Sequence, residues 1–259
     1  MAHTPAMIAD PLAIGRGAQG VPPSPPPGTR VYAVGDIHGR ADLLREINLL
    51  IHEDAYRRQA PRNVIVYLGD YIDRGDAPRG VIELLLNEPL PGFQSIHLRG
   101  NHEDILCRFL KDISVGPNWF AFGGLETLAD YGVAPPEPVT GVTELQRTQR
   151  DLIARLPADH RNFLRRLPVS HTEGDYFFTH AGIRPGVALK RQSREDLLWI
   201  RDEFLESDET FPKIVVHGHT ITAAPEVRRN RIGIDTGAYA SGRLTCFVAE
   251  GRDWGFLQT

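Results

Sequence analysis

Five short motifs carry the side chains of this chain that could do chemistry, and each combines glycine with aspartate, asparagine or histidine. They are GDIHG (35–39), GDYIDRG (69–75), GNHE (100–103), HAG (180–182) and HGHT (217–220). Carboxylate, amide and imidazole donors, with no thiolate among them, suit Mn²⁺, iron or Zn²⁺ better than a soft metal. The candidate ligands are Asp36, His38, Asp70, Asn101, His180 and His219. Six ligands exceed one tetrahedral site and fit two ions that share a carboxylate.

The charge of this ligand set favours an anionic substrate. Two divalent ions would bring four positive charges, and only Asp36 and Asp70 among the six ligands are negative. The surplus can accept a hydroxide and a phosphate ester. Two ions roughly 3.5–4 Å apart can stabilise both the attacking and the leaving oxygen of a phosphoryl transfer. The ligands therefore predict hydrolysis of a phosphoester by a hydroxide that two metal ions activate.

The elements that position these motifs alternate along the chain from residue 30. Short β-branched runs predict strands at 31–34, 64–68, 93–98, 176–179, 213–216, 231–234 and 244–248. Amphipathic patterns predict helices at 42–56, around 79–88 and around 102–111. Such alternation is typical of a mostly parallel α/β core, in which ligands bind at the carboxyl ends of the strands. One aspartate after a strand is more often a turn or cap residue, but five such motifs at strand ends predict one shared site.

Two regions depart from this alternation. Residues 114–167 predict a helical insertion, in which Trp119, Phe120, Phe122 and Tyr131 either pack a core or stack on a base. Residues 1–29 hold seven of the 20 prolines of the chain and predict a disordered, polyproline-like tail or a docking peptide. The predicted organisation is a tail over 1–29 followed by one catalytic domain over 30–259.

Composition excludes several classes of protein. The chain has 259 residues and a net charge of −4. Its share of hydrophobic residues, 41%, is close to that of an average soluble protein. No apolar run approaches the roughly 18 residues of a membrane helix, and the acidic balance argues against nucleic acid and anionic membranes as partners. The two cysteines, Cys107 and Cys246, suit a reducing compartment, and the N-terminus lacks a signal-peptide pattern. We therefore expect a cytoplasmic protein of undetermined oligomeric state.

The five motifs together resemble those of the calcineurin-like metallophosphoesterases, and more narrowly the phosphoprotein phosphatases that act on phosphoserine and phosphothreonine. GHT (218–220) and IDTGA (234–238) are similar to the bacterial and phage lambda members. The resemblance covers about residues 30–248. It implies a layered β-sandwich core flanked by helices, two divalent ions with Mn²⁺ as first choice, and a phosphoprotein or phosphopeptide substrate.

The resemblance also implies a role for each matching residue. Asp36 and His38 would bind the first metal, Asp70 would bridge, and the second metal would be held by Asn101, His180 and His219. His102 would be the general acid, oriented by Asp73. The substrate phosphate would be held by Arg74, Arg99, Arg201 and Asn101. The Arg201 assignment rests on the segment LLWIRDEF (197–204) alone, and a surface arginine is its alternative reading.

Three functions remain open at this point. A dinucleoside tetraphosphate hydrolase of the same superfamily is the alternative to a protein phosphatase. Such enzymes typically replace the aspartate of DRG and have GNHD in place of GNHE, so Asp73 and Glu103 favour the phosphatase. A non-catalytic scaffold would not need the complete ligand set. Glu103 is expected to brace its own loop, and Asp235 either supports the site or shapes a turn.

Overall fold

Ten strands lie within residues 22–259, the part of the chain that this computed structural model describes. In chain order they are β1 (Thr29–Val34), β2 (Arg62–Tyr67), β3 (Phe93–His97), β4 (Ser170–Glu173), β5 (Tyr176–Thr179), β6 (Ile214–His217), β7 (Glu226–Val227), β8 (Arg231–Gly233), β9 (Thr245–Glu250) and β10 (Asp253–Gln258). They form two five-stranded sheets, ordered β10–β9–β1–β2–β3 and β4–β5–β6–β8–β7. Three neighbouring strands of each sheet are parallel: β1, β2 and the edge strand β3 in the first, and the central strands β5, β6 and β8 in the second. The outer strands pair antiparallel, so both sheets are mixed.

Ten α-helices accompany these strands in the described residues. They are α1 (Ala41–Arg58), α2 (Pro78–Asn87), α3 (Asn101–Phe109), α4 (Gly116–Trp119), α5 (Leu125–Asp130), α6 (Val142–Arg155), α7 (Ala158–Arg166), α8 (Arg194–Trp199), α9 (Asp202–Leu205) and α10 (Ala238–Ser241). A π-helical stretch, Phe120–Gly124, joins α4 to α5. The helical insertion predicted around 114–167 is therefore confirmed, because α4 to α7 fill it.

The two sheets pack face to face, and alternation along β1 shows how. Val31 and Ala33 point into the layer between the sheets, where they meet Phe178 and Val216 of the second sheet. Tyr32 and Val34 point the other way, into the layer between the first sheet and its helices. Because successive side chains of a strand face opposite sides, a central strand buried on both faces carries a run of apolar residues, here Val31–Val34, instead of an alternating pattern. All six residues of β1 are buried.

Helices cover the outer face of each sheet. On the first sheet, Leu44, Ile47 and Ile51 of α1 recur at helical spacing and are fully buried. On the second sheet, Phe204 of α9 packs in a separate cluster with Phe177 of β5. The order of layers is helix, sheet, sheet, helix, which confirms the α/β fold class predicted from the motifs. None of the helices in residues 22–259 is both long and apolar enough to span a bilayer.

The carboxyl ends of the parallel strands from both sheets meet at one edge of the sandwich. The amide of Gly218, after β6, donates to the carbonyl of His180, after β5. The amide of His219 donates across to Asp36, after β1, over 3.0 Å. The expectation that the strands of one open sheet carry all five motifs is therefore wrong. Two sheets that face each other share the motifs.

The proline-rich stretch falls partly within the described residues. Residues 1–21 lie outside them, so most of the predicted tail is not addressed by this structure. Pro23 and Pro25 are buried. The amide of Ser24 donates to the Asp175 carboxylate over 3.1 Å, and the carbonyl of Ser24 accepts from the Asp175 amide over 2.9 Å. Residues 23–25 therefore pack on the turn between β4 and β5, directly before β1.

Candidate active site

Two of the motif glycines bring the catalytic turns into close contact. A Cβ atom on Gly100 would lie 2.0 Å from the Asp70 carboxylate, and one on Gly218 would lie 1.9 Å from the Asp36 carboxylate. Carbon and oxygen atoms cannot approach that closely, so only glycine fits at these two positions. The glycine of GNHE therefore allows the turn after β3 to contact the turn after β2. The glycine of HGHT allows the turn after β6 to contact the turn after β1 in the same way.

Asp70 lies at the centre of the site. Its Oδ2 atom is 3.4 Å from Nε2 of His38, 3.4 Å from Nε2 of His180 and 3.8 Å from Nε2 of His102. The carboxylate is buried, which opposes ionisation, but the histidines, His180 first, hold its pKa below the usual range. The structure thus places Asp70 between the two groups of ligands, where the sequence predicted a bridge.

The ligand atoms form two groups that share Asp70. Side-chain atoms of His38, Asp70 and His102 lie within 4.8 Å of one another, and so do those of Asp70, His180 and His219. All five residues are buried. The first group contains His102, which the resemblance assigned to proton transfer. Side chains from both sheets thus supply two adjacent positions for a cation.

Hydrogen bonds turn the histidine lone pairs inward. Nδ1 of His38 donates to the carbonyl of Ile72 over 2.9 Å, and Nδ1 of His180 donates to the carbonyl of Leu68 over 3.1 Å. A carbonyl oxygen can only accept, so the proton is on Nδ1 and the Nε2 atom carries a lone pair that faces the site. Burial lowers the pKa of His38 and of His180, and the rings stay neutral. Neutral imidazole is the form that binds a metal.

Two buried atoms supply a direct test of fit for a cation. Oδ1 of Asp36 and Nε2 of His219 have no hydrogen-bond partner among the described residues. Buried polar groups without partners are rare in folded proteins. Burial, and then Asp235 and Asp70, raise the pKa of Asp36 well above its usual value, which reflects excess negative charge that a cation would neutralise. The donor set therefore fits divalent metal ions, and Asn101 contributes an amide oxygen 2.7 Å from Nε2 of His180.

The structure brings His102 and Asp73 together. Nδ1 of His102 lies 2.6 Å from Oδ2 of Asp73. Burial would lower the pKa of His102, but Asp70 and the hydrogen bond to Asp73 raise it above its ordinary value. Asp73 also accepts hydrogen bonds from Nε1 of Trp119 and from the Thr127 hydroxyl. Sequence reasoning did not assign these last two residues to the site, and no local motif pairs them with Asp73.

Glu103 joins the turns after β2 and β3. Its carboxylate accepts hydrogen bonds from the amides of Asp70 at 2.9 Å, Tyr71 at 2.8 Å and Gly100 at 2.8 Å. Burial first, and then Asp70, raise its pKa to about 7. The predicted brace is confirmed, and it extends beyond its own loop to the loop that carries Asp70.

The three predicted phosphate-binding arginines have different environments. Arg74 points into the site, with Nη1 donating to Nε2 of His38 over 2.9 Å and Nη2 donating to Nε2 of His102 over 3.1 Å. Arg201 is exposed at the rim, where it donates to the Thr220 hydroxyl over 3.1 Å. Burial lowers the pKa of His219, and the charges of His180 and Arg201 lower it further.

Arg99 does not join this clamp. Its guanidinium is buried and donates to the carbonyls of Leu164 at 2.7 Å and Arg165 at 3.1 Å. These are carbonyls of the last turn of α7, which has no intrahelical partners for them. In this structure Arg99 therefore ties α7 to the turn after β3, and the phosphate contact that the resemblance implied for it stays a prediction.

Aromatic side chains surround the entrance. The ring of Phe122 is 44% exposed and lies 6.4 Å from the ring of His102. Tyr239 packs edge-on against His38 at 5.5 Å and lies under the Arg74 guanidinium at 4.9 Å. Trp119, Phe120 and Tyr131 are buried in the core instead. Of the four aromatics that the sequence left open between packing and stacking, only Phe122 offers a free face.

Asp235 lies beside the first ligands. Its Oδ1 accepts from the amide of Gly237 over 2.9 Å, and burial raises the pKa of its carboxyl to about 6. Its charge in turn raises the pKa of Asp36. Asp235 thus shapes a turn and also acts on a ligand, so both readings of this residue apply.

Comparison with known proteins agrees with this geometry. The sequence pattern of the calcineurin-like phosphoesterases matches residues 29–240. A relative from Bacillus thuringiensis (strain Al Hakam), named as an asymmetrical bis(5'-nucleosyl)-tetraphosphatase, PrpE, is 27% identical over 82% of this chain and 87% of its own. A relative of the same name from Oceanobacillus iheyensis is 26% identical over 84% of this chain and 88% of its own.

Solved structures share the fold at lower identity. The crystal structure of a candidate diadenosine tetraphosphatase superposes with a TM-score of 0.59 at 21% identity, covering 90% of this chain and 95% of its own. A serine/threonine phosphatase from Saccharomyces cerevisiae superposes with a TM-score of 0.53 at 14% identity, covering 90% and 80%. The family pattern covers most of the domain, and the ligands lie where that fold gathers its strand ends. The chain belongs to the calcineurin-like phosphoesterase family and is a hydrolase of phosphoric esters, as its five motifs predicted.

Proposed function

We propose that this chain hydrolyses bis(5'-nucleosyl) tetraphosphates asymmetrically, giving a nucleoside triphosphate and a nucleoside monophosphate. The observation that carries the proposal is the similarity to relatives of that name, which extends over 82% of this chain and 87% of theirs. The proposal reverses the order of the two substrates that the motifs favoured. The resemblance of the motifs to phosphoprotein phosphatases, with Asp73 and Glu103 as the discriminating residues, had placed a phosphoprotein first.

The roles follow from the atoms that surround Asp70. Asp36 and His38 would hold a first divalent ion, Asn101, His180 and His219 would hold a second, and Asp70 would be shared between them. When bound, two such ions, Mn²⁺ before iron or Zn²⁺, lower the pKa of the attacking water and neutralise phosphate charge. Arg74 and Arg201 orient the phosphate oxygens, since a planar guanidinium can bind two of them at once.

His102 completes the reaction on the leaving side. Asp73 holds the ring through Nδ1 at 2.6 Å, and the raised pKa of His102 favours its protonated form. Nε2 of His102 accepts from Arg74 in this structure. When the guanidinium turns to the substrate phosphate instead, Nε2 can take up a proton and give it to the departing oxygen. Asp73 keeps its position through Trp119 and Thr127 of the helical insertion.

The exposed ring of Phe122 supports a nucleotide substrate. Stacking of a base on an aromatic side chain contributes about 1–3 kcal/mol, and Phe122 has a free face next to His102. Phe122→Ala should therefore raise the KM for diadenosine tetraphosphate by roughly 5- to 100-fold. The KM for p-nitrophenyl phosphate, which has no base, should stay the same. Leu49→Ala removes another exposed apolar side chain, on α1, and is the control that should change neither KM.

Phosphoserine and phosphothreonine remain the second candidate substrate, because of the pair formed by His102 and Asp73. A serine or threonine alkoxide is a poor leaving group and needs a proton, whereas a nucleotide phosphate leaves readily as an anion. A buried imidazole held at 2.6 Å by a carboxylate is suited to protonate the alkoxide, which is the poorer of the two leaving groups.

Steady-state kinetics separate the two candidates. We would compare kcat/KM for diadenosine tetraphosphate, a phosphothreonine peptide and p-nitrophenyl phosphate with Mn²⁺, and repeat each assay with EDTA. The proposal expects the highest kcat/KM for the tetraphosphate, with ATP and AMP as products rather than ADP alone. Asp70→Asn, which removes the shared ligand, controls for contaminating phosphatases. A fast peptide and a silent tetraphosphate would make the second candidate correct.

A further inference from the structure

A second cavity lies outside the candidate active site. It has a volume of about 460 Å³ and is lined by residues of α3, α6, α7 and the start of α8. We call it the α3–α7 groove. Cys107, Leu110 and Ile153 give it an apolar floor. The volume lies within the range of pockets that hold a small organic ligand.

The polar lining of this groove is almost entirely cationic. Six basic side chains face one acidic side chain, Asp104, and they are Arg99, Arg108, Lys111, Arg161, Arg165 and Arg194. Two of the six are engaged: Arg194 forms a salt bridge with Asp104, and Arg99 donates to the carbonyls at the end of α7. This concentration of positive charge stands in a chain whose net charge is −4.

The other four cations are left without a salt-bridged carboxylate within residues 22–259. Arg108, Lys111, Arg161 and Arg165 take part in none of the salt bridges there, although ion pairs are otherwise frequent on this surface. Like charges around one cavity repel each other, and the repulsion is greatest where apolar walls exclude water. An anion bound between them would remove this repulsion.

We propose that the α3–α7 groove binds a nucleoside polyphosphate, with its phosphate chain held by Arg108, Lys111, Arg161 and Arg165. Arginine guanidinium groups bind phosphate oxygens in pairs. The apolar floor provides a surface for the base. The cations line one groove of about 460 Å³ instead of forming a long stripe, which fits a small ligand better than a nucleic acid.

The groove is a separate site from the metal ligands, although the two are connected by α3. That helix begins at Asn101, and Arg108 follows seven residues later, about 10 Å along the axis at 1.5 Å per residue. None of the four cations belongs to the proposed catalytic machinery. The inference therefore holds whichever phosphoester the active site hydrolyses.

Calorimetry on the metal-loaded full chain tests the inference, with the slowly hydrolysed ATP analogue AMP-PNP as probe. Arg108→Gln/Arg165→Gln removes two charges from the groove, and Lys111→Gln/Arg161→Gln removes the other two. Each pair should weaken binding about tenfold or more, because each charge-assisted hydrogen bond contributes substantially. Arg45→Gln/Arg58→Gln on α1 is the matched control: both residues are exposed and neither lines the groove. This control should bind as the unaltered protein does.

Cys107 provides a second readout at the groove itself. It is only partly buried, whereas the other cysteine, Cys246, is fully buried. AMP-PNP and inorganic tripolyphosphate should both slow alkylation of Cys107, measured by mass spectrometry, and adenosine should not. Equal affinities of groove and control variants, or unchanged alkylation of Cys107 with AMP-PNP, would overturn the inference. Binding of an acidic peptide without binding of AMP-PNP would also overturn it and identify a protein-docking groove.

Discussion

Asp70 is held in a backbone conformation that few aspartates adopt. Its φ angle is 52°, in the left-handed region. Such a conformation costs of order 1–3 kcal/mol and persists only where neighbouring contacts fix it. Glu103 supplies those contacts, since it binds the amides of Asp70 and of Tyr71. The strain and its brace together point the Asp70 carboxylate at three imidazole rings.

The role of His102 can be separated from metal binding. His102→Ala should lower kcat by roughly 10²- to 10⁴-fold, the usual contribution of general acid catalysis, and leave the metal content unchanged. The loss should be greatest for a phosphothreonine peptide and smallest for p-nitrophenyl phosphate, whose leaving group is stable as an anion. Activity on each substrate, with metal content measured by mass spectrometry, checks both expectations.

A control is needed because His102 also lies within 4.8 Å of His38 and Asp70. His171→Ala removes a partly buried histidine that pairs with Glu173 away from the site, and it should keep full activity. If His102→Ala loses metal in proportion to activity, His102 is a ligand and the proton comes from elsewhere.

At the scale of elements, the strand ends could be predicted from the sequence because each motif follows its strand directly. His38, Asp70 and His180 each needed only a β-branched run and a glycine turn to be placed at one rim. Contacts between distant segments could not be predicted in this way. Trp119 and Thr127 reach Asp73 from 46 and 54 residues away, and no periodicity encodes that contact.

Arg99 is a second example of a side chain whose contacts with a distant segment could not be predicted from the sequence. Its place before GNHE predicts a phosphate contact, but the end of α7 presents carbonyls that need donors, and Arg99 is the cation beside them. The helical insertion therefore decides where this guanidinium points.

Three strands were also not predicted from the sequence. The strands β4 and β7 are short with few apolar residues, and β10 contains a glycine.

The turn after β6 offers a test of how the two sheets share the site. Gly218→Ala would place a methyl group 1.9 Å from the Asp36 carboxylate, so the turns after β1 and β6 must separate. Disturbing the support of a metal ligand typically costs 10- to 100-fold in metal affinity, and we expect a loss of roughly that size, measured by titration with Mn²⁺. Gly255→Ala in β10 is the control, because a Cβ there meets nothing within 4 Å. Unchanged affinity in Gly218→Ala would mean that Asp36 does not hold a metal.

At the scale of the whole molecule, the net charge conceals two regions of opposite local charge. The net charge of −4 includes the buried carboxylates Asp36, Asp70 and Asp235, which repel one another unless cations are bound. It also includes the basic α3–α7 groove. Field strength at a site depends on nearby groups and on how well water is excluded. The net charge of the sequence therefore says little about what the active site or the α3–α7 groove binds, because the layered fold decides which charges become neighbours.

Burial of neutral histidine in the layers also makes the stability of the fold depend on pH. His97 of β3 stacks on Tyr67 at 5.1 Å, and burial lowers its pKa to about 4, from 6.5 in an unfolded chain. Between these two values the unfolded state binds the proton and the folded state does not, so stability falls as pH drops below about 6.5. For this one group the loss between pH 7 and pH 5 is about 2 kcal/mol. His97→Phe keeps the stack and cannot titrate, so urea unfolding at the two pH values should show a difference smaller by that amount. His52→Gln changes an exposed histidine of α1 and should leave the difference as it is. If His97→Phe behaves in the same way, the pKa of His97 is the same in the folded and the unfolded protein.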